Sequence, residues 1–304
     1  MYLQHFGLNE LPFSLTPNTQ YFVNMSSYHK AFNLVIVSLA NFEGFIKVVG
    51  EVGTGKTMLC RKVLNTLEED KAHYVSAYIP NPVLSPKGLF LAFAEELGVE
   101  VDQDIGQHSL LKLITKKLID YAADEKQVVL FIDEAHAMPE QTLEALRLLT
   151  NIETEKAKLF QVVLFAQPEL DAMLHQPSLR QLLQRITFSY HIEALDPAGV
   201  DRYITHRVAT AGYNGPALFN RRALKQIYRA SGGIPRLVNI LCHKSLMVAF
   251  GKGDRTVLPA HVRDAIEDTE GAQTPATGYT PALIAISGLL VGAALIFYLG
   301  NFYL

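Results

Sequence analysis

The chain contains no tryptophan and only two cysteines. Cys60 and Cys242 stand far apart and form no CxxC pair, so neither a disulfide framework nor a zinc site is implied. Both fall in apolar helical patterns, where core packing is the expected role. No sign of charge dominates: 27 Lys and Arg face 30 Asp and Glu, a net charge of −3. That balance disfavours a sequence-blind grip on nucleic acid, which needs an excess of cations on one face. The ten histidines show no HExxH or other metal-ligand spacing. No Ser-His-Asp arrangement and no internal repeat stands out. Met1 to Phe13 holds neither a basic stretch nor a continuous apolar one, so no secretory signal is expected.

One long uncharged run is present. Residues 282–299 read ALIAISGLLVGAALIFYL, with Ser287 and Tyr298 as the only polar side chains. With the apolar residues that follow, the run approaches the roughly 20 needed to cross a bilayer. Pro281 suits a helix start, and Tyr279, Tyr298 and Tyr303 suit the two interfaces. A transmembrane helix is predicted over 282–300. Ahead of it, residues 271–281 (GAQTPATGYTP) have the composition of a linker.

A length of 304 residues suggests about two domains. Residues 1–30 read as an irregular leader, with Pro12 and Pro17 breaking any helix. Residues 31–194 alternate helices with strands. The continuous apolar runs Phe45–Val49, Val128–Ile132 and Phe160–Phe165 mark strands buried on both faces of a parallel sheet. His73–Ile79 and Thr187–Ile192 complete the strand set. Helices are expected over His29–Phe42 and Lys56–Leu67, from Ser85-Pro86 onward, over Ser109–Ala123 with Ser109 as cap, and over Pro139–Asn151 and Leu179–Ile186. The result is a doubly wound α/β domain with its site at the C-terminal ends of the strands. Residues 195–270 are helical only, with helices at Ala198–Ala211, Arg222–Ser231, Pro235–Phe250 and Pro259–Thr269, and form an all-helical lid.

The loop Gly50-Glu51-Val52-Gly53-Thr54-Gly55-Lys56-Thr57 satisfies GxxxxGK[ST] between a strand and a helix that continues through Met58. Its backbone N–H groups and the helix N-terminus suit phosphate. Lys56 is expected at the β- and γ-phosphates of ATP and Thr57 on Mg²⁺. Asp133 closes the second buried strand and is the other Mg²⁺ ligand. Glu134 follows it as the group that polarises the attacking water. Asp133-Glu134-Ala135-His136 also spells an RNA-helicase motif, but the chain is too short for two such motor domains and lacks their second motif set. Gln167, at the end of the Phe160–Phe165 strand, is placed to read the γ-phosphate. Arg180 and Arg185 flank the following short helix, where an arginine can reach a neighbouring subunit's nucleotide. Gly232-Gly233-Ile234-Pro235-Arg236 ends one helix and starts the next, with Arg236 in the first turn, aimed to bridge the lid to the γ-phosphate.

Phe6-Gly7-Leu8, Pro12-Phe13, the phosphate loop, Ile132-Asp133-Glu134-Ala135-His136, Gln167-Pro168-Glu169-Leu170, Gln184-Arg185-Ile186 and Gly233-Ile234-Pro235-Arg236-Leu237-Val238-Asn239 together resemble the ExeA/general-secretion-pathway A ATPases. The likeness spans roughly residues 1–270. It implies an AAA+ P-loop fold, a homo-oligomer (ring or dimer), and an ATPase on the cytoplasmic side of the inner membrane that assists pilus or secretin machinery. Lys56 and Thr57 correspond to Walker A, Asp133 and Glu134 to Walker B, Gln167 to sensor 1 and Arg236 to sensor 2. Arg185 falls in the family's Arg-Ile pair, although many members carry a further arginine where Leu183 stands. ExeA itself continues into a periplasmic peptidoglycan-binding region. This chain ends at Leu304, so it resembles the short members that accompany MSHA type IV pilus biogenesis, and no direct peptidoglycan contact is expected. The partners implied are inner-membrane pilus or secretion assembly proteins and membrane lipid, with no specific nucleic acid. A DNA-binding AAA+ regulator of the transposition type shares the Gly-Gly-Ile-Pro-Arg-like helical domain, but the charge balance and the apolar segment argue against it. The complete motif set argues against a structural membrane adaptor with a spent nucleotide site.

Overall fold

The computed structural model describes residues 2–16, 18–23, 25–102, 104–153 and 158–273. The predicted membrane span at 282–300 lies outside the described residues, as does the linker from 274 onward. Among the described residues no helix is long and apolar enough to cross a membrane.

In chain order the elements are α1 (Tyr2–Phe6), α2 (Ser26–Ala40), β1 (Phe45–Gly50), α3 (Lys56–Glu69), β2 (Tyr74–Ile79), α4 (Pro86–Glu96), α5 (Gln107–Ala123), β3 (Gln127–Ile132), α6 (Glu140–Leu149), β4 (Phe160–Ala166), α7 (Glu169–Leu174), α8 (Arg180–Leu183), β5 (Phe188–Ile192), α9 (Pro197–Thr210), α10 (Arg221–Ser231), α11 (Pro235–Gly251) and α12 (Pro259–Glu267). The five strands form one parallel sheet in the order β2-β3-β4-β1-β5.

Side chains alternate across a strand, and here both faces are apolar. Ile46, Val48, Val129, Phe131, Val163 and Phe165 enter one core, with α2 and α3 over them. Phe45, Val128, Leu130, Ile132, Val162 and Leu164 enter the other, beneath α4, α5 and α6. Such two-sided burial is why these strands read as continuous apolar runs rather than alternating ones. Each fully buried side chain of this size contributes roughly 1.5–3 kcal/mol.

The first core does not end at the sheet. It continues through Val200, Ile204, Val238, Leu241 and Leu246 of α9 and α11 into the leader residues Tyr2, Phe6, Leu8 and Phe13. The Phe13 ring meets Phe219 edge-on at 5.9 Å. The leader is therefore packed rather than irregular throughout, with α1 and a 3-10 turn at Thr19–Tyr21 inside it. Its prolines prevent a long helix but not burial of its aromatic groups.

One local expectation holds and two change. Ser85 caps α4, its Oγ accepting from the Gly88 N–H at 3.1 Å. Ser109 does not cap α5, which begins two residues earlier behind Gly106 and has no side-chain cap. Burial of Leu110, Ile114 and Leu118 sets that helix, and packing outweighs a single cap. The helix expected over Leu179–Ile186 is a 3-10 turn at Pro177–Leu179 followed by the single turn α8. The six-residue α7 is too short to show a period in the sequence.

Gly233 joins the end of β5 to the α10–α11 corner. Its φ is +76°, and a Cβ there would lie 2.0 Å from the Leu195 carbonyl oxygen. The Leu195 N–H donates to the Gly233 carbonyl at 2.9 Å, so the two backbones cannot separate without losing that bond. Gly233→Ala is expected to destabilise the protein by about 1–3 kcal/mol, read from the denaturant midpoint. An unchanged midpoint would mean that this close approach does not exist in solution.

Candidate functional site

β1 ends at Gly50, and α3 starts at Lys56 behind Gly55 as N-cap. Lys56 is 5% exposed. Its ammonium donates to the carbonyls of Gly50 (2.7 Å) and Glu51 (3.0 Å) and forms no ion pair among the described residues. Burial pushes its pKa down, while the carboxylates of Glu134, Asp133, Glu51 and Glu169 pull it back up. A buried cation held only by neutral oxygens at a helix N-terminus is a place for an anion.

The loop is braced from outside. The Thr54 hydroxyl donates to Glu51 O at 2.8 Å, and the Tyr28 hydroxyl donates to Thr54 O. Gly53 has φ +80°, and a Cβ there would lie 2.6 Å from Arg236 Cβ. The Arg236 N–H donates to Gly53 O at 3.2 Å. Only glycine allows this contact between the loop and the first turn of α11.

Asp133 follows β3 and is 3% exposed. Its Oδ1 accepts from the Glu134 N–H at 2.9 Å. Burial raises its carboxyl above the usual range. The Thr57 hydroxyl, the Glu134 N–H and the Lys56 charge pull it down, and the Glu134 charge pushes it further up. Glu134 itself is in the left-handed region, at φ 52° and ψ 36°. That is an uncommon position for a non-glycine residue and one that surrounding structure must enforce.

β4 lies between β1 and β3, so the residue after it sits between the loop and the acidic pair. That residue is Gln167, whose Nε2 donates to Glu134 Oε2 at 3.2 Å. The Gln167 N–H donates to His136 Nδ1 at 3.4 Å, which leaves His136 Nε2 as the protonated nitrogen. That nitrogen lies 3.5 Å from the same Glu134 oxygen. His136, dismissed in the sequence as part of a helicase-like string, is thus part of the frame that orients Glu134.

Lys56, Glu134 and Gln167 line one end of a cleft of about 320 Å³, together with Val52, Gly53, Gly55, Thr57, Met58 and Arg236. Gly50, Glu51 and Thr54 form the base of the loop. The other end has different chemistry: Leu15, Tyr21 and Phe22 of the leader, Tyr28, and Tyr203 and Asn239 from α9 and α11. A charged end joined to an aromatic one suits a phosphorylated heterocycle, and the volume is in the range of small-molecule sites. Thr57 and Asp133 offer hard oxygen donors, as Mg²⁺ prefers. Among the described residues no cluster of three or more His, Cys, Asp or Glu forms. Mg²⁺ needs none, since one or two carboxylates and substrate phosphates complete its shell.

Arg185 is not in this cleft. Its guanidinium donates to Thr150 Oγ1 at 2.7 Å and to Asn151 Oδ1, just past α6. Arg180 is exposed, and its side chain has no hydrogen bond or ion pair among the described residues. The residues that sequence reasoning missed are His136, the leader and Tyr28 walls, and Tyr203, Arg207 and Asn239. A repeated aromatic signal in the leader was visible, but nothing local placed it over a cleft.

Residues 41–174 match the AAA domain family. The chain is 40% identical over 293 residues to General secretion pathway protein A of Aeromonas hydrophila. That match covers 96% of this chain and 53% of the relative, so the chain spans about half the length of the curated protein it matches. Cdc6p from Pyrobaculum aerophilum superposes with a TM-score of 0.66 at 17% identity, covering 84% of this chain and 70% of that one. The ORC2 protein of Aeropyrum pernix, in its ADPNP-ADP complexes, gives 0.61 at 15% identity, covering 86% and 73%. At these identities the likeness shows the fold: an AAA+ P-loop α/β domain built on a parallel sheet.

Asp133 provides a test of the electrostatics. A carboxyl with a raised pKa binds more protons folded than unfolded, so its ionisation costs stability as pH rises through that range. Asp133→Asn keeps an acceptor for the Glu134 N–H and removes the charge. The nucleotide-free variant is expected to be more stable than wild type at neutral pH by about 1 kcal/mol, as is common when a functional site is relaxed. The advantage should shrink as pH falls and wild-type Asp133 becomes protonated. A thermal-melting series across pH checks both signs, and a less stable variant at pH 7 would contradict burial as the dominant cause.

Proposed function

Taking as premise a chain with the AAA+ P-loop ATPase fold, similar over most of its length to general secretion pathway protein A, we propose a motor anchored in the inner membrane. Its role is to assist assembly of a type IV pilus of the MSHA kind, or of a related secretion apparatus, from the cytoplasmic side. The observation that carries the ATP reading is the buried Lys56 ammonium. It has only carbonyl partners and faces a cleft that also holds Glu134, Gln167 and Arg236.

On this reading Lys56 exchanges the Gly50 and Glu51 carbonyls for the β- and γ-phosphate oxygens. Thr57 and Asp133 hold Mg²⁺, which neutralises phosphate charge when bound. Glu134 orients and deprotonates the attacking water, and its own direction is held by Gln167 and His136. Gln167 also reads the γ-phosphate. Arg236 carries the same information into α11, because its backbone is bonded to Gly53. The aromatic end takes the base.

Arg185 is tied down away from its own cleft, so its part is to complete the site of a neighbouring copy, which requires a homo-oligomer. The membrane anchor is residues 282–300, and the partners are membrane-embedded assembly proteins. The helical part, α9 to α12, serves as the lid that moves with nucleotide state.

Lys56→Ala is expected to abolish tight ATP binding. Glu134→Gln should bind ATP but lower turnover by about 10²–10⁴-fold, the usual contribution of such a group. Equilibrium binding and phosphate release measure the two. Wild-type turnover in folded Glu134→Gln would remove that residue from the chemistry.

The anchor is tested separately. Full-length protein should stay with membranes through carbonate extraction, and a chain ending at Thr274 should be released while still binding nucleotide. If both wash off alike, the apolar run is not a membrane span.

A further inference from the structure

Arg207 of α9 is 5% exposed and forms no ion pair among the described residues. Its guanidinium donates instead to Pro12 O at 2.6 Å, Ser14 O at 3.3 Å and the Tyr203 hydroxyl at 2.9 Å. The Tyr203 hydroxyl donates onward to Asn239 Oδ1 of α11 at 3.1 Å. The guanidinium carbon lies 4.7 Å from the Tyr21 ring centre and 5.5 Å from that of Tyr203. Burying a cation is costly unless every donor is used. Two of the acceptors here are backbone carbonyls of the leader. The cost is offset only while the leader stays docked.

The leader is fastened at both ends of this stretch. Upstream, the Asn9 N–H donates to Ala211 O at 2.8 Å, and Phe13 packs on Phe219. Downstream, α2 is held by the Tyr28 hydroxyl on the phosphate loop itself. Segments 14–16 and 18–23 therefore form a strap that runs from the helical part to the phosphate loop and walls the aromatic end of the cleft. A lysine at 207 would supply charge but not a planar fork that reaches two carbonyls while stacked against two rings.

We propose that Arg207 is a positioning residue for nucleotide binding: it latches the leader strap across the cleft, and nucleotide occupancy in turn holds the strap closed. This rests on the ATP-site reading above. It assigns Arg207 to affinity and leaves the hydrolytic step to Glu134 and its partners.

The test uses the full-length protein with Arg207→Met and Arg207→Lys. Three quantities are read: affinity for a fluorescent ATP analogue, KM against kcat, and the rate of limited proteolysis within residues 14–23 with and without a non-hydrolysable ATP analogue. Arg207→Met is expected to weaken binding and raise KM about tenfold, the effect of losing a charge-assisted hydrogen bond, with saturated kcat within about twofold. Arg207→Lys should fall between. The analogue should protect the strap in wild type and not in Arg207→Met. Wild-type affinity in folded Arg207→Met, or a loss of kcat at unchanged KM, overturns the proposal. Should Arg207→Met not fold, Arg207→Lys carries the test, since it keeps the charge and loses the planar fork; wild-type affinity there overturns the proposal equally. Failure of the wild-type protein to bind ATP would strike the ATPase reading instead, so the two failures are distinguishable.

Discussion

Lys56, Asp133 and Arg207 are each 5% exposed or less, and none forms an ion pair among the described residues. A buried charge without a counter-charge is the least favourable thing a core can hold. Here the three are stabilised by neutral oxygens and N–H groups: the Gly50 and Glu51 carbonyls for Lys56, the Glu134 N–H for Asp133, and the Pro12 and Ser14 carbonyls for Arg207. These partners are backbone, so the charges stay in place only if the backbone does. The rest of the fold supplies that rigidity.

Two apolar cores grip the sheet from both faces and bring the C-terminal ends of β1, β4 and β3 side by side. That places the phosphate loop, Gln167 and the Asp133-Glu134 pair along one edge. Glu134 sits in a left-handed conformation there, held by the chain on either side and by the Gln167 and His136 side chains. Strain of this kind persists where the surroundings over-determine it, and it aims the carboxylate into the cleft rather than along the sheet.

The same edge is joined to the helical part by two contacts of different kinds. One is backbone to backbone, Arg236 on Gly53, and is possible because glycine leaves room for it. The other is the leader, bonded to α9 at one end and to the phosphate loop at the other. Any change in the loop is felt by both. The two differ in that the first belongs to a short motif and the second to a segment far away in the chain.

That difference separates what the sequence determined from what only the tertiary structure decided. The strands were legible because burial on both faces writes continuous apolar runs. The phosphate loop and the acidic pair were legible because phosphate and metal chemistry require particular residues at fixed short spacing. The cap at Ser85 was legible, but Ser109 misled, since cap signals are local while packing of Leu110, Ile114 and Leu118 set the true start of α5. Gln167 was legible as a strand-end group placed to read the γ-phosphate, but its contact with Glu134 depended on β4 lying between β1 and β3. His136 gained its role only when Gln167 came beside it. Arg207 and Pro12 are 195 positions apart, and no pattern of neighbouring residues encodes their contact. Spacing and periodicity report chemistry within a turn or a strand; which distant carbonyls meet a buried guanidinium depends on how the whole core closes.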